Sequence, residues 1–194
     1  MKLSEPHSNP DVRIISLGAG VQSTVMALMA AKGELDPMPD CAIFADTGYE
    51  PQGVYDHLEW LEKQLPFPTY RVSSGNIKSD IQKGVNTTGT RFVAMPFFTR
   101  EGGMGMRQCT NEYKIVPLKK KTRELLGLKP RQRAKDEVSE TWLGISWDEM
   151  QRMKESRDKF IYHRFPLIEK QMRRHHCMTW FEEHYPGRSL AKSA

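Results

Sequence analysis

The chain opens with a hydrophobic segment, a glycine turn and a helix-forming segment in direct succession. Residues 12–17 are mainly apolar and β-branched, which predicts a buried strand. The turn Gly18-Ala19-Gly20 follows, and residues 24–31 are rich in Met, Ala and Leu, which favour helix. A strand, a glycine turn and a helix in this order predict the start of a βαβ unit.

The same alternation continues along the rest of the chain. An apolar strand is predicted at 41–45, and the segment after it carries apolar residues at helical spacing. The further predicted elements are a helix at 53–65, strands at 69–72 and 141–145, an extended segment at 160–167 and an amphipathic helix at 169–184. Strands that alternate with helices predict an α/β fold, a Rossmann-like parallel sheet with helices on both faces.

The order of these segments predicts a single domain. Residues 1–11 are polar, contain two prolines and are expected to form a flexible arm. Residues 12–168 form the main domain, and residues 169–194 are its C-terminal helix and tail, with truncation after Ala194 left open.

Composition narrows the class of protein. Twenty-nine Lys and Arg against 24 Asp and Glu give a net charge of +5, which tolerates nucleotides or nucleic acid as partners without requiring them. Three cysteines are too few for a disulfide framework, which favours a reducing compartment. The first residues lack the apolar core of a signal peptide, and the longest apolar run, 25–31, is far shorter than a membrane span. We therefore expect a cytoplasmic protein with no membrane partner.

The loop at 16–24 has the composition of an anion site. The small residues Gly18, Ala19 and Gly20 allow backbone N–H groups to approach an anion, and the helix that follows adds its positive N-terminal end. Ser23 and Thr24 offer hydroxyl donors. No Gly-Lys-Ser/Thr ends the loop, so it is not a Walker A sequence. The alternative is a tight turn with a helix-capping serine.

A basic stretch lies at 114–135 and has two interpretations. One is a solvated helix surface and loop; the other is contact with the phosphate backbone of a nucleic acid. The stretch contains nine basic residues: Lys114, Lys119, Lys120, Lys121, Arg123, Lys129, Arg131, Arg133 and Lys135.

Five short motifs, in order, resemble those of one group of nucleotide-binding enzymes. The loop Gly18-Ala19-Gly20-Val21-Gln22-Ser23 resembles the pyrophosphate loop of the PP-loop ATP pyrophosphatases and of the phosphoadenosine phosphosulfate (PAPS) reductases. Gln22, in place of an acid, is closer to the PAPS reductases. The later motifs are Asp46-Thr47-Gly48-Tyr49; Arg107-Gln108-Cys109-Thr110 with Lys114 and Pro117; Leu143-Gly144-Ile145-Ser146 with Glu149 and Arg152; and Pro166-Leu167-Ile168 before Trp180.

The resemblance implies an adenine nucleotide alpha-hydrolase-like fold, with residues 12–168 as a PP-loop nucleotide-binding domain. It implies ATP or PAPS as the bound nucleotide and Mg²⁺ as a companion of the phosphates. Arg107 and Lys114 become the candidate catalytic residues. The nucleotide-binding residues implied are Ser16, Gly18, Ala19, Gly20, Gln22, Ser23, Thr24, Asp46, Thr47, Gly48, Arg107, Lys114 and Arg152.

The reaction expected from the resemblance is attack on the α-phosphate of ATP, which releases pyrophosphate and activates a substrate, in nucleic-acid or sulfur modification. One alternative is a sulfonucleotide (PAPS) reductase that lacks its own C-terminal cysteine, because the Glu-Cys-Gly-x-His tail of those enzymes is missing here. The other is a nucleotide-binding or nucleic-acid-binding module without catalysis. The acceptor substrate and the oligomeric state stay open.

Cys109 and Cys177 are candidate metal ligands. Cys177 follows His175 and His176, and these residue types suit zinc or an iron–sulfur centre. Such a site is expected only if a further cysteine pair follows the chain end. The alternative is that Cys177 is a buried residue of the last helix, as Cys41 is expected to be in its strand.

Overall fold

The computed structural model describes residues 5–85, 87–88 and 110–190. In this part of the chain, five strands form one sheet in which every neighbouring pair is parallel. The order across the sheet is β3-β2-β1-β4-β5. The strands are β1 (Val12–Leu17), β2 (Cys41–Asp46), β3 (Thr69–Ser73), β4 (Ser139–Leu143) and β5 (Ile161–Arg164).

Within the described residues, six α-helices accompany these strands. A π-helical turn, Asn111–Ile115, leads directly into the fourth helix, and a 3-10 turn, Trp147–Arg152, follows β4. The helices are α1 (Val21–Ala31), α2 (Gln52–Glu62), α3 (Ile77–Lys83), α4 (Val116–Leu125), α5 (Pro166–Glu169) and α6 (Arg174–His184).

The two faces of the sheet carry separate hydrophobic clusters, because alternate residues of a strand point to opposite faces. From β1, Ile15 and Leu17 join a large cluster with α1, α2 and α6. Ile14 lies in the other cluster, against Leu118 and Leu125 of α4. The prediction of a parallel sheet with helices on both faces is therefore confirmed.

Two predictions for the C-terminal third need correction. The helix predicted at 169–184 is two helices, α5 and α6, and Gln171 between them has a left-handed φ of 52° that no helix accommodates. The extended segment predicted at 160–167 ends earlier, because Pro166 begins α5, where its fixed φ suits the first helical turn. Helix α3 was not predicted; it is short, with Asn76 as its N-cap and Gly84 as its left-handed C-cap.

The strand order places a crevice beside β1. From β1 the chain moves to β2 and β3 on one side of the sheet and only later to β4 and β5 on the other. The carboxyl ends of β1 and β4 are adjacent, with Ser16 paired to Leu143. Ligands of open α/β sheets bind outside the carboxyl ends of the strands at such a reversal. No helix within the described residues has the length and apolarity needed to cross a membrane.

Candidate functional site

A cavity of about 840 Å³ opens at this reversal of strand order, and we call it the switch-point cavity. Its floor is formed by the carboxyl ends of β1, β2 and β4, and its walls by α4 and the segment from the 3-10 turn to β5. The loop after β1 contributes the following residues to its lining: Ser16, Leu17, Gly18, Gly20, Gln22 and Ser23.

The loop after β1 is closed by its own serine. The backbone N–H of Gly18 donates to Ser23 Oγ at 3.2 Å, and that hydroxyl donates to the carbonyl oxygen of Gly20 at 3.3 Å. Gly20 is the N-cap of α1 and has no side chain to cap the first turn. The first N–H groups of a helix have no partner inside it. Those of Gln22 and Ser23 belong to residues that line the cavity, so they lie beside it.

Gly144 holds the opposite wall against this loop. A Cβ placed on Gly144 would lie 2.8 Å from the backbone nitrogen of Ser23 and 3.0 Å from its Cα. Only a residue without a side chain allows the end of β4 to approach the first turn of α1 this closely. The close approach explains why a glycine follows β4.

Gln22 lies at the centre of a polar network on the cavity wall. Arg174 Nη1 donates to Gln22 Oε1 at 3.0 Å, and Gln22 Nε2 donates to Glu149 Oε2 at 3.2 Å. Glu149 Oε1 also accepts from Arg152 Nη1 at 2.7 Å. The network joins α1, the 3-10 turn and α6, and it holds the guanidinium of Arg174 against the side chain of Gln22.

Sequence reasoning missed Arg174. Its only signal was a basic residue within the predicted last helix, and that helix was expected to begin five residues earlier than α6 does. In the structure Arg174 is the first residue of α6, and its backbone N–H donates to Asp148 Oδ1 at 3.0 Å. A hydrogen bond from Ser146 is the main cause that lowers the pKa of Asp148. Asp148 therefore stays ionised and holds the start of α6 beside the cavity.

Among the described residues, cations outnumber acids on the lining of the switch-point cavity. The three acids are Glu149, Glu155 and Asp158. The six basic residues are Lys114, Lys119, Arg152, Lys154, Arg157 and Arg174. Excess positive charge over backbone N–H groups favours an anionic ligand.

The structure separates the residues that were predicted to bind the nucleotide. Ser16, Gly18, Gly20, Gln22, Ser23, Lys114 and Arg152 line the switch-point cavity, whereas Ala19, Thr24, Asp46, Thr47 and Gly48 do not. Arg107 and Cys109 lie outside the described residues.

Thr24 and Ala19 face the hydrophobic core. Both are fully buried, and Thr24 Oγ1 is 3.0 Å from Nε2 of His57 in α2. Burial, with a smaller contribution from the charge of Arg188, lowers the pKa of His57 to about 4, so its ring is neutral at pH 7. Thr24 therefore anchors α1 to α2 on the side of the helix away from the cavity.

The loop after β2 is closed by its own side chains. Asp46 Oδ1 accepts from the N–H of Gly48 at 2.7 Å and from the hydroxyl of Tyr55 at 2.9 Å. Thr47 Oγ1 donates to Glu50 Oε1 at 3.3 Å. Glu50 also lies 3.6 Å from Lys114 Nζ, so this loop reaches the switch-point cavity through an ion pair.

The described residues do not form a metal centre. Cys177 is fully buried in the core beside α1, and burial is the main cause that raises the pKa of its thiol to about 12. His175 and His176 are exposed. No three His, Cys, Asp or Glu side chains in the described ranges are grouped to hold a metal ion. The placement of Cys177 fits the alternative of a buried helix residue.

The loop after β1 itself offers Mg²⁺ no carboxylate ligand. Residues 16–24 contain no carboxylate. Of the acids that line the cavity, Glu149 is paired with Arg152 and Asp158 is 2.5 Å from Lys119 Nζ. Glu155 is the remaining acid of the lining and has no ion-pair partner among the described residues, so it is the one carboxylate there that could serve Mg²⁺, which prefers carboxylate, phosphate and water oxygens.

The side chains of four of the nine basic residues at 114–135 have partners in the described part of the chain, and one of these pairs is Lys114 with Glu50. Lys119 and Lys121 form ion pairs with Asp158 and Glu124. The guanidinium of Arg123 donates to the carbonyl oxygens of Lys129 and Gln132. These contacts leave fewer free cations for a nucleic-acid backbone than the sequence alone indicates.

Comparisons with known proteins bear on the fold. No protein-family model matches the chain, and neither does any curated protein sequence. Among solved structures, the chain is similar to the phosphoadenylyl-sulfate (PAPS) reductase from Candida auris, determined as a phosphate complex. The TM-score is 0.53 at 14% sequence identity, and the match covers 91% of this chain and 74% of that one. The chain therefore has a PAPS reductase-like α/β fold.

Proposed function

We propose that the chain binds the phosphate groups of an adenine nucleotide, ATP or PAPS, in the switch-point cavity and acts on that nucleotide as an enzyme. The observation that carries this proposal is the meeting of uncapped N–H groups of α1 and the guanidinium of Arg174 at one cavity. The neighbour from Candida auris, a PAPS reductase in complex with phosphate, supports a phosphate-containing ligand.

The leading reaction is nucleotidyl transfer from ATP. A nucleophilic atom of the acceptor attacks the α-phosphorus, the bond from the α-phosphorus to the bridging oxygen breaks, and pyrophosphate leaves. The chain's own contribution is electrostatic: the N–H groups after β1 face the phosphate oxygens, while Arg174 and Lys114 neutralise developing negative charge. Arg152 adds a further cation once a ligand competes for its partner Glu149.

Sulfonucleotide reduction is the alternative reaction, and it needs a thiolate. Cys41 and Cys177 are buried, and burial raises the pKa of each thiol to about 12, so neither supplies a thiolate at neutral pH. Reduction of PAPS by this chain therefore requires Cys109 or a thiol from another molecule. A nucleotide-binding module without catalysis is the remaining alternative.

The test is calorimetric titration with ATP, PAPS and adenosine 3′,5′-bisphosphate, each with and without Mg²⁺. Saturable binding of at least one nucleotide supports the proposal, and release of pyrophosphate from ATP supports the leading reaction. Preference for the two 3′-phosphorylated ligands supports the sulfonucleotide alternative. Absence of binding by all three contradicts the proposal. A labelled single-stranded RNA in the same series tests the basic stretch for nucleic-acid contact.

Two matched pairs of variants locate the binding site. Arg174→Gln is expected to weaken nucleotide affinity at least about tenfold, because a guanidinium–phosphate contact is charge-assisted. Arg133→Gln, at an exposed arginine outside the cavity, is expected to leave the affinity unchanged. Lys114→Gln and Lys120→Gln form the second pair, in which only Lys114 lines the cavity. Equal affinities within both pairs would place the nucleotide elsewhere.

A further inference from the structure

A second cavity, of about 610 Å³, lies between the start of α2 and the segment that follows α6. We call it the α2 cavity; its polar lining includes Asp56, His57, Arg188 and Ser189. It shares no lining residue with the switch-point cavity. None of its residues takes part in the proposed function, so a ligand in the α2 cavity would be additional to the nucleotide.

Two buried nitrogens at the α2 cavity have no hydrogen-bond partner among the residues that the structure describes. His57 is only 3% exposed, and its Nε2 is used by Thr24 while its Nδ1 has no partner. The Nε of Arg188 is also buried and unpartnered. A buried polar atom without a partner is costly, so two on the lining of one cavity indicate a missing polar ligand.

The charge of Arg188 is also uncompensated. Arg13 and Arg164 have unpartnered buried nitrogens too, but these lie 3.7 Å and 3.6 Å from the carboxylate of Glu140. Arg188 forms no salt bridge with any carboxylate in the described part of the chain. Its guanidinium lies over the ring of Trp60, 3.9 Å from the centroid, and this stacking fixes its position.

The start of α2 adds a second positive element to the cavity. Pro51 is the N-cap and makes no side-chain capping bond. The N–H of Val54 donates to the carbonyl oxygen of Pro51 at 2.8 Å, and the N–H groups of Gln52 and Gly53 are left to solvent or to a ligand. Gly53 lines the cavity, and the space beside its Cα is open. One acid, Asp56, opposes this arrangement, although it accepts a hydrogen bond from Gln52 Nε2 at 2.8 Å.

We propose that the α2 cavity binds a small oxyanion, a phosphate or carboxylate group, between Arg188, His57 and the first turn of α2. Arg188 supplies the counter-charge, the helix start supplies N–H donors, and the neutral ring of His57 supplies Nδ1 as a donor when the Thr24 hydroxyl donates to Nε2. Because Thr24 directly follows Ser23, the oxyanion would also lie one hydrogen bond away from the helix that carries the nucleotide loop.

The test follows the imidazole nitrogens of His57 by NMR in the full chain during titration with inorganic phosphate and, separately, acetate. We expect a saturable shift of the His57 signals with phosphate, and an apparent affinity about tenfold weaker in Arg188→Gln. Arg188→Lys keeps the charge without the planar donors and is expected to be intermediate. If acetate also shifts the His57 signals, the α2 cavity binds carboxylates as well as phosphate.

A second variant separates this proposal from the proposed nucleotide site, because phosphate could act on His57 from the switch-point cavity. In Arg174→Gln, which weakens that cavity, the His57 response is expected to remain. A response lost in Arg174→Gln and kept in Arg188→Gln would overturn the α2 cavity as the binding site. Absence of any His57 shift up to about 10 mM phosphate or acetate would overturn it too, with water as the partner of the two nitrogens.

Discussion

The loops after β1 and β2 lie at the ends of neighbouring strands, yet they treat their polar groups differently. The loop after β1 contains several small residues. Its residues that line the switch-point cavity are Ser16, Leu17, Gly18, Gly20, Gln22 and Ser23. The loop after β2 satisfies its own backbone through Asp46 and Thr47, and its residues 46–50 do not line that cavity.

The difference shows what each loop composition provides. In the loop after β1 the Ser23 hydroxyl accepts from the N–H of Gly18, but the first turn of α1 has no side-chain cap and its N–H groups are available to a ligand. In the loop after β2, Asp46 and Thr47 accept from the N–H groups of Gly48 and Tyr49 and close their own turn. The loop after β2 still contributes to the site, because Glu50 holds Lys114 beside the cavity. The first loop is therefore expected to contact the ligand, and the second to offset the charge of a cation that lines the cavity.

Among the variants that test the two loops, Gly144→Ala is expected to have the largest effect on stability and on nucleotide affinity. The new Cβ would press on the backbone of Ser23, which cannot move without opening the loop after β1. We expect a loss of about 1–3 kcal/mol in the free energy of unfolding, measured by denaturant titration. Nucleotide affinity, measured by calorimetry, should fall more than about tenfold.

The control is Gly53→Ala, since Gly53 lies in α2 with open space beside its Cα and alanine favours helix. It should leave nucleotide affinity unchanged. Wild-type nucleotide affinity in Gly144→Ala would show that the shape of the loop after β1 does not matter for binding.

Ser23 and Thr24 are adjacent in α1, and substitution of each tests which of the two contacts the ligand. The expected effects are smaller than that of Gly144→Ala. Ser23→Ala removes the hydroxyl that closes the loop, and we expect about tenfold weaker nucleotide binding with little change in stability. Thr24→Val removes the partner of buried His57 and should lower the free energy of unfolding by about 1–3 kcal/mol while affinity is kept. Calorimetry and denaturant titration on both variants check this, and the reverse pattern would place Thr24, not Ser23, at the ligand.

The sequence predicted the parts of this arrangement that depend on neighbours along the chain. Strands β1, β2 and β3 and the glycine turn before α1 are visible as local patterns, and their positions are confirmed. Arg174 could not be found in this way, because it reaches Gln22 only through the packing of α6 on α1, across 152 residues of chain.

The sequence did not predict the roles of the side chains in the loop after β2 either. The motif at 46–49 indicated residues near the nucleotide, but it did not show that Asp46 is used by Gly48 and Tyr55. Thr24 was expected to donate to phosphate, and its direction depends on the buried ring of His57 in the next helix. A motif predicts which residues meet; hydrogen bonds between elements decide which of them face the cavity.

Glu50→Gln is expected to have the smallest effect, and its sign is what tests the role of the second loop. The amide keeps the size of Glu50 and can still accept from Thr47, but it no longer offsets the charge of Lys114. If Glu50 acts mainly by offsetting the charge of this cation, removal of its negative charge should tighten nucleotide binding by up to about fivefold. The gain in nucleotide affinity should be smaller at high salt, because Lys114 is partly exposed and its charge is screened. Calorimetry at two salt concentrations measures both effects. Weaker binding in Glu50→Gln would instead mean that the ion pair's geometry matters more than its charge, and Glu50→Gln combined with Lys114→Gln would then bind no more weakly than Lys114→Gln alone.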